Sequence, residues 1–323
     1  KVFFTNAGAE ANENAIKMAK EYTGRWKVFS AYRSYHGASA GAGMLTGEPR
    51  HFANEPGPAG FIKYDGPYAY RAPAQVKFEN EDDVADFYLE LLENQVKYEG
   101  PENIAAIFME TVVGSNGILI PPKKWMKGVR ELCTRYGIMM VCDEVMAGWY
   151  RTGTKFAFHH FDIVPDLVTF AKGVTCGYVP LGGVIVSEPI QKFFDDNKML
   201  CGLTYNGHPM GCAAAVASIK EYERLNIADN VAKVGKVLGE KLAEIKEKHA
   251  CVGEFRHIGL FSCIELVKDD KGTPIVSFNY DPDGLMGKIV GMLKKEGFST
   301  YSHENMVLIA PPLTITEEEL TDA

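Results

Sequence analysis

Short apolar runs alternate along the chain with longer amphipathic segments, and this alternation constrains the fold more than any other feature. The runs IAAIFME (104–110), IMMVCDE (138–144) and DLVTFAK (166–172) are typical of strands buried on both faces. The segment PPKKWMKGVRELCTRYG (121–137) has helical spacing, with Pro at its start and Gly at its end. Strands that alternate with helices predict an α/β fold on a mainly parallel sheet.

Further elements extend this pattern on both sides. Strands are predicted at 2–5, 26–32 and 181–188, and helices at 6–24, where Asn6 is the candidate cap, and at 82–98. Residues 41–80 are rich in Gly, Pro and Tyr and predict a long ordered loop. Only residues 173–181 separate Lys172 from the run GGVIVS (182–187) of the last strand. A parallel crossover needs about a dozen residues or more, so this strand is predicted to run antiparallel.

From about Pro209 the pattern changes to that of a smaller α+β domain. An Ala-rich helix is predicted at 210–226 and a charged amphipathic helix at 230–250. Short strands are predicted at 261–267 and 306–313, and one more helix at 283–296. We therefore predict a large domain at 1–225 and a small domain at 226–323. The chain begins without Met inside an apparent strand, and its last residues resemble the start of a helix. We expect the natural protein to continue beyond both ends.

Composition narrows the possible partners and the compartment. The net charge is −8 and no block of Lys and Arg stands out, which argues against nucleic acid. No apolar run approaches the ~18–20 residues that span a bilayer, so no membrane segment is expected. Seven scattered cysteines without a C-x-x-C pair favour a reduced, cytoplasmic location. No metal site is predicted, and the pair His159-His160 is interpreted as structural.

Four predicted strands end in polar or reactive residues: Thr5, Glu110, Asp143 and Lys172. Ligands bind beyond the carboxyl ends of strands in open α/β sheets, so these side chains are expected to converge. A lysine buried after an apolar run requires a partner, and one interpretation is an Asp143–Lys172 salt bridge. A second uses the loop NAGAEAN (6–12), whose N–H groups at a helix start suit a phosphate. Phosphate cradle, carboxylate and lysine together indicate a pyridoxal phosphate (PLP) site.

The chain resembles the class III (ω-amino acid) aminotransferases, PLP enzymes of fold type I. The resemblance rests on FTNAGAEANENAIKMAK, YHG, VCDEVMAGWYRTG, PDLVTFAKG, PLGGVIVSE, TYNGHPMGCAAA and APPLTITEEEL and covers essentially the whole chain. It implies a mainly parallel seven-stranded sheet with one antiparallel strand, plus a smaller α+β C-terminal domain. It also implies pyridoxal 5'-phosphate, an amino donor, a 2-oxo acid and a homodimer or dimer of dimers. Family members are usually longer, mostly on the N-terminal side.

The resemblance assigns roles around the cofactor ring. Lys172 would bind the cofactor covalently and then move the proton, and Asp143 would pair with the ring nitrogen. Val145 would pack on one face of the ring and Tyr35 on or near the other. Glu110, together with Glu144, would orient Asp143 and the oxygen-bearing side of the ring.

The phosphate would be held from two chains. Gly8 and Ala9 would bind it through backbone N–H groups; many family members have Ser in place of Ala9. Thr204 would reach the phosphate of the neighbouring subunit, which makes the site a feature of the dimer.

The substrate is constrained by what the chain lacks. Ornithine- and γ-aminobutyrate-type members carry a Glu in GEAG that pairs with an Arg just before APPL, whereas Ser115 and Leu308 stand there in this chain. GSNGILIPP (114–122) and DGPYAYRAP (65–73) resemble taurine- and β-alanine-type members. Four candidates for the acid group and the pocket lining are Arg71, His303, Trp149 and Tyr150.

The expected function is transfer of an amino group from an ω-amino acid or aminosulfonate, such as taurine or β-alanine, to 2-oxoglutarate or pyruvate. Alternatives are an ornithine-, γ-aminobutyrate- or diamine-type aminotransferase, an aminomutase or epimerase on the same fold, and an inactive protein or fragment.

Overall fold

A seven-stranded sheet forms the centre of the computed structural model, which describes residues 1–322. The strands are β1 (Val2–Thr5), β2 (Lys27–Ala31), β3 (Phe61–Tyr64), β4 (Ile104–Glu110), β5 (Met139–Asp143), β6 (Leu167–Phe170) and β7 (Gly182–Val186). Their order is β1-β7-β6-β5-β4-β2-β3. β7 pairs antiparallel with β1 and β6, and every other neighbouring pair is parallel. The mainly parallel sheet and the antiparallel β7 are therefore confirmed.

Helices cover both faces of this sheet, which explains why its strands are apolar at nearly every position. The helices are α1 (Gly8–Thr23), α2 (Ala40–Leu45), α3 (Glu81–Glu99), α4 (Lys123–Tyr136) and α5 (Glu188–Asp196). In β4, Phe108 packs on the face of the sheet that α1 covers, and Ile107 and Met109 pack on the face of α3 and α4. Successive side chains point to opposite faces of a strand, so both sets are buried.

Helices α1 and α4 end at the predicted glycines, whereas the predicted cap is not found at the start of α1. Gly24 and Gly137 have φ of +66° and +64° and donate their N–H groups to the last turns of α1 and α4. The residue before α1 is Ala7, which offers no side-chain oxygen. The prediction that Asn6 caps α1 is wrong: its backbone N–H donates to Glu10 Oε2 at 2.8 Å.

The segment predicted as a loop at 41–80 contains α2, the edge strand β3 and two short 3-10 turns at 49–54 and 69–71. β3 was missed because it has four residues, three of them only half-buried, and pairs with β2 alone. Such a strand lacks the continuous apolar run that reveals central strands.

The C-terminal part builds a second, antiparallel sheet of order β10-β11-β9-β8. Its elements are α6 (Pro209–Arg224), α7 (Ile227–Lys248), β8 (Val252–Ile258), β9 (Phe261–Leu266), α8 (Leu285–Lys295), β10 (Ser302–His303), β11 (Met306–Ile309) and α9 (Glu317–Asp322). The α+β character matches the prediction, although β8 was not expected. The domain boundary at 225/226 stays a prediction. Within residues 1–322, no helix is long and apolar enough to cross a bilayer.

Candidate active site

Parallel strands β4, β5 and β6 bring three polar side chains to one edge of the large sheet. The pairing register sets Glu110 opposite Asp143 and Asp143 opposite Thr169. Glu110, Asp143 and Lys172 line a single cavity of about 530 Å³. Thr5 is not among the residues that line it, and its hydroxyl donates to the carbonyl of Ala7 at 3.0 Å. Three of the four residues predicted to converge at the strand ends therefore share a cavity.

Asp143 is almost completely buried and is held by three donors. Oδ2 accepts from Asn12 Nδ2 and from His36 Nδ1, each at 2.8 Å, and Oδ1 accepts from the N–H of Val145 at 2.9 Å. An ionised carboxylate has about four acceptor positions. One position therefore remains for a ligand in the cavity that Asp143 lines.

Asn12 and His36 complete this network, and sequence reasoning missed both. Asn12 Nδ2 also donates to the carbonyl of His36 at 2.8 Å, and Asn12 Oδ1 accepts from Thr169 Oγ1 at 2.8 Å. Both side chains are buried. The available signal was weak: His36 follows Tyr35 in YHG, and Asn12 is a polar residue on the buried Ala face of α1.

Glu110 fixes the backbone around the cavity. Its carboxylate accepts from the N–H groups of Tyr35 and Gly114, each at 2.8 Å. Burial raises the pKa of Glu110 above its usual value, the charge of Asp143 adds to this, and His36 opposes it. Glu110 thus positions Tyr35, which also lines the cavity.

Glu144 is directed away from the cavity. Its carboxylate accepts from the N–H groups of Ala157 and Phe158, each at 2.9 Å, and the side chain is fully buried. Burial raises the pKa of Glu144 to about 7. The two adjacent acids that end β5 therefore differ in their contacts: Asp143 lines the cavity, and Glu144 holds the loop that follows the strand.

Lys172 stands in the cavity with an unusual backbone. It begins a 3-10 turn two residues after β6 ends, with φ of +44°, a left-handed conformation that non-glycine residues rarely adopt. Within residues 1–322, no carboxylate lies at salt-bridge distance from its amine, and Asp143 pairs with His36 instead. The Asp143–Lys172 salt bridge is therefore absent, and Lys172 is exposed to the cavity instead of buried.

The N-terminus of α1 forms another part of the cavity wall. Gly8 and Ala9 both line the cavity, and the first N–H groups of a helix have no partner within it. A Cβ atom on Gly8 would lie 2.9 Å from both methyl carbons of Val145, which also lines the cavity. Glycine at this position therefore lets the helix start approach the side chain of Val145, two residues after Asp143.

The structure places the remaining predicted residues outside this cavity. Thr204 is exposed in the loop before α6. Arg71 Nε donates to Glu265 Oε1 at 2.6 Å, and Nη1 donates to the carbonyl of Gly272 at 2.6 Å. His303 lies beside Glu304.

Trp149 and Tyr150 pack against Tyr222 in an aromatic cluster. Trp149 borders a neighbouring cavity of about 880 Å³, which shares Lys172 and Val145 with the first. Within the described part of the chain, no group of three His, Cys, Asp or Glu side chains could hold a metal ion. The adjacent His159 and His160 instead contact backbone carbonyls through their ring nitrogens.

A buried carboxylate, an amine without an acid partner and a helix start surround one cavity at the carboxyl edge of a mainly parallel sheet, and they define a PLP enzyme of fold type I. The chain belongs to the class III aminotransferases: the family's sequence profile, Aminotransferase class-III, matches residues 1–323. It is therefore a PLP-dependent aminotransferase.

Three similar proteins show the range of the family. The structure of the taurine:2-oxoglutarate aminotransferase from Bifidobacterium kashiwanohense, in complex with PLP and glutamate, is 47% identical with a TM-score of 0.97, over 100% of this chain and 72% of that one. The diaminobutyrate–2-oxoglutarate transaminase of Halomonas elongata is 32% identical over 100% of this chain and 71% of its own length. Gamma aminobutyrate transaminase 2 of Solanum lycopersicum is 34% identical over 100% and 72%.

The cavity fits pyridoxal phosphate on three observations. Asp143 keeps one acceptor position for a protonated ring nitrogen, Lys172 keeps a free amine, and the start of α1 lines the cavity at Gly8 and Ala9, where helix N–H groups suit a phosphate. A volume of about 530 Å³ also lies within the usual range for cofactor sites.

Proposed function

We propose that this aminotransferase takes the amino group of a short ω-amino acid or aminosulfonate, with taurine and β-alanine as the lead donors. The acceptor is a 2-oxo acid, either 2-oxoglutarate or pyruvate. The observation that carries the proposal is the 47% identity to a taurine:2-oxoglutarate aminotransferase over the whole chain, against 32–34% for the diaminobutyrate and γ-aminobutyrate transaminases. Ser115 and Leu308, in place of the Glu–Arg pair of ornithine-type members, support the same choice.

A second candidate is γ-aminobutyrate or diaminobutyrate transamination, because relatives with those names match the whole chain. The aminomutase and epimerase alternatives have less support, since the similar proteins are named as transaminases.

The residues of the chain divide the chemistry between them. When bound, PLP supplies the electron sink for amino-group transfer. Lys172 anchors the cofactor and carries the proton to and from the substrate carbon on its Nζ atom. Asp143, fixed by Asn12, His36 and Val145, keeps a negative charge at the ring nitrogen. Glu110 positions Tyr35 by accepting from the Tyr35 backbone N–H, and Tyr35 and Val145, which both line the cavity, would pack against the ring.

To test the donor, the cofactor-loaded protein is mixed with each amine without an acceptor, and the single turnover is monitored as the loss of near-visible absorbance. Taurine and β-alanine should react at least about tenfold faster than γ-aminobutyrate or ornithine, because one extra methylene in a fitted pocket costs roughly that factor or more. Fast reaction with ornithine or diaminobutyrate and none with taurine or β-alanine would overturn the choice of donor.

We also propose a homodimer, or a dimer of dimers, located in the cytoplasm. The seven free cysteines, three of them buried, suit a reduced compartment. The exposed loop that carries Thr204 is available to a second copy.

Mixing two inactive variants tests the role of Thr204. If Thr204 serves the partner's site, a heterodimer of Lys172→Ala and Thr204→Ala contains one site with both residues intact. Activity at limiting cofactor should then recover after subunit exchange. Mixing Lys172→Ala with wild type is the control and should only dilute activity. No recovery despite proven exchange would show that Thr204 acts on its own chain or not at all.

A further inference from the structure

Arg50 lies against the wall of the active-site cavity, on a 3-10 turn at Pro49–Asn54. Its guanidinium carbon is 3.8 Å from the centre of the Tyr35 ring, and its Nη2 is 3.5 Å from Ser115 Oγ. Tyr35 and Ser115 both line the cavity that contains Lys172. The two contacts place a cation beside two side chains that line the cavity.

Glu48 binds Nε of the Arg50 guanidinium and leaves its outer edge open. The Glu48 carboxylate is buried, with 4% of the side chain exposed, and accepts from Arg50 Nε. The Arg50 side chain is itself 47% exposed. Nη1 has no acceptor within residues 1–322, and Nη2 has only the long contact to Ser115. The outer edge of the guanidinium is therefore free to bind an acid group with two parallel hydrogen bonds.

Other cations near the site are already engaged. Lys172 is the one Lys or Arg among the described residues that line the cavity. Arg71 is bound by Glu265, and Arg33 pairs with Glu304 at 3.1 Å. The Lys63 amine donates to Ser30 and to the carbonyls of residues 44 and 45. An acid group on the substrate thus has the Nη edge of Arg50, which Glu48 does not bind, as its cationic partner beside the cavity.

We propose that Arg50 binds the acid group of the ω-amino donor, with the Ser115 hydroxyl as an additional donor. This inference rests on the proposed function and makes it more specific. A donor whose amine is held at Lys172 would extend toward Ser115 and Tyr35, where the guanidinium edge becomes accessible. A glutamate at position 115 would compete for Arg50, whereas a serine leaves the guanidinium charge for the substrate.

The arrangement also predicts a preference for sulfonate. Two sulfonate oxygens can accept from the two Nη groups, and the third can accept from Ser115. A carboxylate has only two oxygens, so one of them must accept from two of these three donors. Taurine is therefore expected to bind more tightly than β-alanine.

The test compares Arg50→Gln with wild type in the cofactor-loaded protein. For taurine, kcat/KM should fall about 10- to 100-fold, mainly through KM, which is the usual effect of losing a charge-assisted hydrogen bond. For propylamine, which has no acid group, kcat/KM should not change. Arg50→Lys keeps the charge without the planar fork and should lie between the two.

A binding measurement removes the dependence on turnover. Ethanesulfonate and propionate lack the amine, and calorimetry gives their Kd directly. Both Kd values should rise about 10- to 100-fold in Arg50→Gln, with ethanesulfonate the tighter ligand of wild type. Arg135→Gln is the matched control, because Arg135 also pairs with a glutamate, Glu93, and lies over a tyrosine ring, but on α4 outside the cavity.

The outcomes separate this inference from the proposed function. If wild type reacts with neither taurine nor β-alanine, the proposed function fails, and the two Kd values still decide the role of Arg50. If taurine and propylamine lose activity equally in Arg50→Gln, Arg50 only supports Tyr35 and the inference is overturned. Unchanged Kd values for ethanesulfonate and propionate would overturn it as well.

Discussion

Lys172→Ala is expected to abolish transamination, with kcat reduced by more than about 10⁴-fold, because the covalent anchor and the proton carrier are lost together. The structure gives the physical reason. Lys172 faces the cavity that Asp143 lines, and among the described residues it has no acid partner that would hold its amine elsewhere. The wild-type protein should be yellow, and borohydride should fix the cofactor to the peptide that contains Lys172, as mass spectrometry can show.

The control for this result is an exposed lysine with an ordinary role. Lys192 on α5 pairs with Glu188 at 2.6 Å, so Lys192→Ala should keep both colour and turnover. A small amine in solution, such as methylamine, should partly restore Lys172→Ala by carrying the proton in place of the side chain. Full turnover in Lys172→Ala without added amine would remove Lys172 from the mechanism.

The central strands could be predicted because their burial leaves a pattern in the local sequence. Strands buried on both faces must be apolar at every position, so β4, β5 and β6 are visible as continuous runs. The antiparallel direction of β7 followed from the length of one connection. β3 and β8 lack this signal, since most of their residues are only half-buried and the pattern of a half-buried strand is easily lost.

The candidate site could be predicted where it is built from strand ends. Asp143 and Lys172 follow buried runs, and the parallel sheet brings their ends to one edge. The partners of Asp143 come instead from α1 and from the loop after β2, 131 and 107 residues away along the chain. Contacts at such separations depend on how the crossovers pack, which a single sequence does not specify.

The arginines show the same limit more sharply. Sequence analysis named Arg71 as a candidate for the acid group of the substrate and did not consider Arg50. The structure separates them through their acids. Glu265, 194 residues from Arg71, binds its guanidinium, whereas Glu48, two residues from Arg50, orients that side chain and leaves one edge free. Which cation is available is therefore a tertiary property.

Asp143→Asn is expected to slow proton transfer at the substrate carbon by roughly 10³-fold while cofactor remains bound. A unit charge about 4 Å from another is worth roughly 4 kcal/mol at an effective dielectric constant of 20, which corresponds to about that factor in rate. Asparagine keeps the shape of the side chain but removes the charge at the ring nitrogen. Gly8 and Ala9, which would hold the phosphate, and Lys172, which would anchor the cofactor, are unchanged, so the cofactor should still bind.

The network around Asp143 also predicts a cost in stability. An asparagine amide has one oxygen where the carboxylate has two, and the present donors are Asn12, His36 and the N–H of Val145. If the amide nitrogen faces Val145, two N–H groups oppose each other, and one unsatisfied donor costs about 1–3 kcal/mol. If it faces His36, the imidazole must change its tautomer to accept, and Asn12 Nδ2, which donates to the same position, loses its acceptor. Thermal unfolding of the variant should therefore begin at a lower temperature than that of wild type.

Rate and stability are separated by the matched variant Asp166→Asn. Asp166 pairs with Arg130 at 2.6 Å and accepts from the N–H of Met140 at 2.8 Å, just before β6 and therefore at the opposite edge of the sheet from the cavity. Asp166→Asn should lower stability without changing the rate of the loaded enzyme.

The decisive measurement is single-turnover kinetics with donor deuterated at the amine-bearing carbon, where Asp143→Asn should show a full isotope effect. A change of less than about tenfold, ~1.4 kcal/mol, would mean that Asp143 is not the partner of the ring nitrogen.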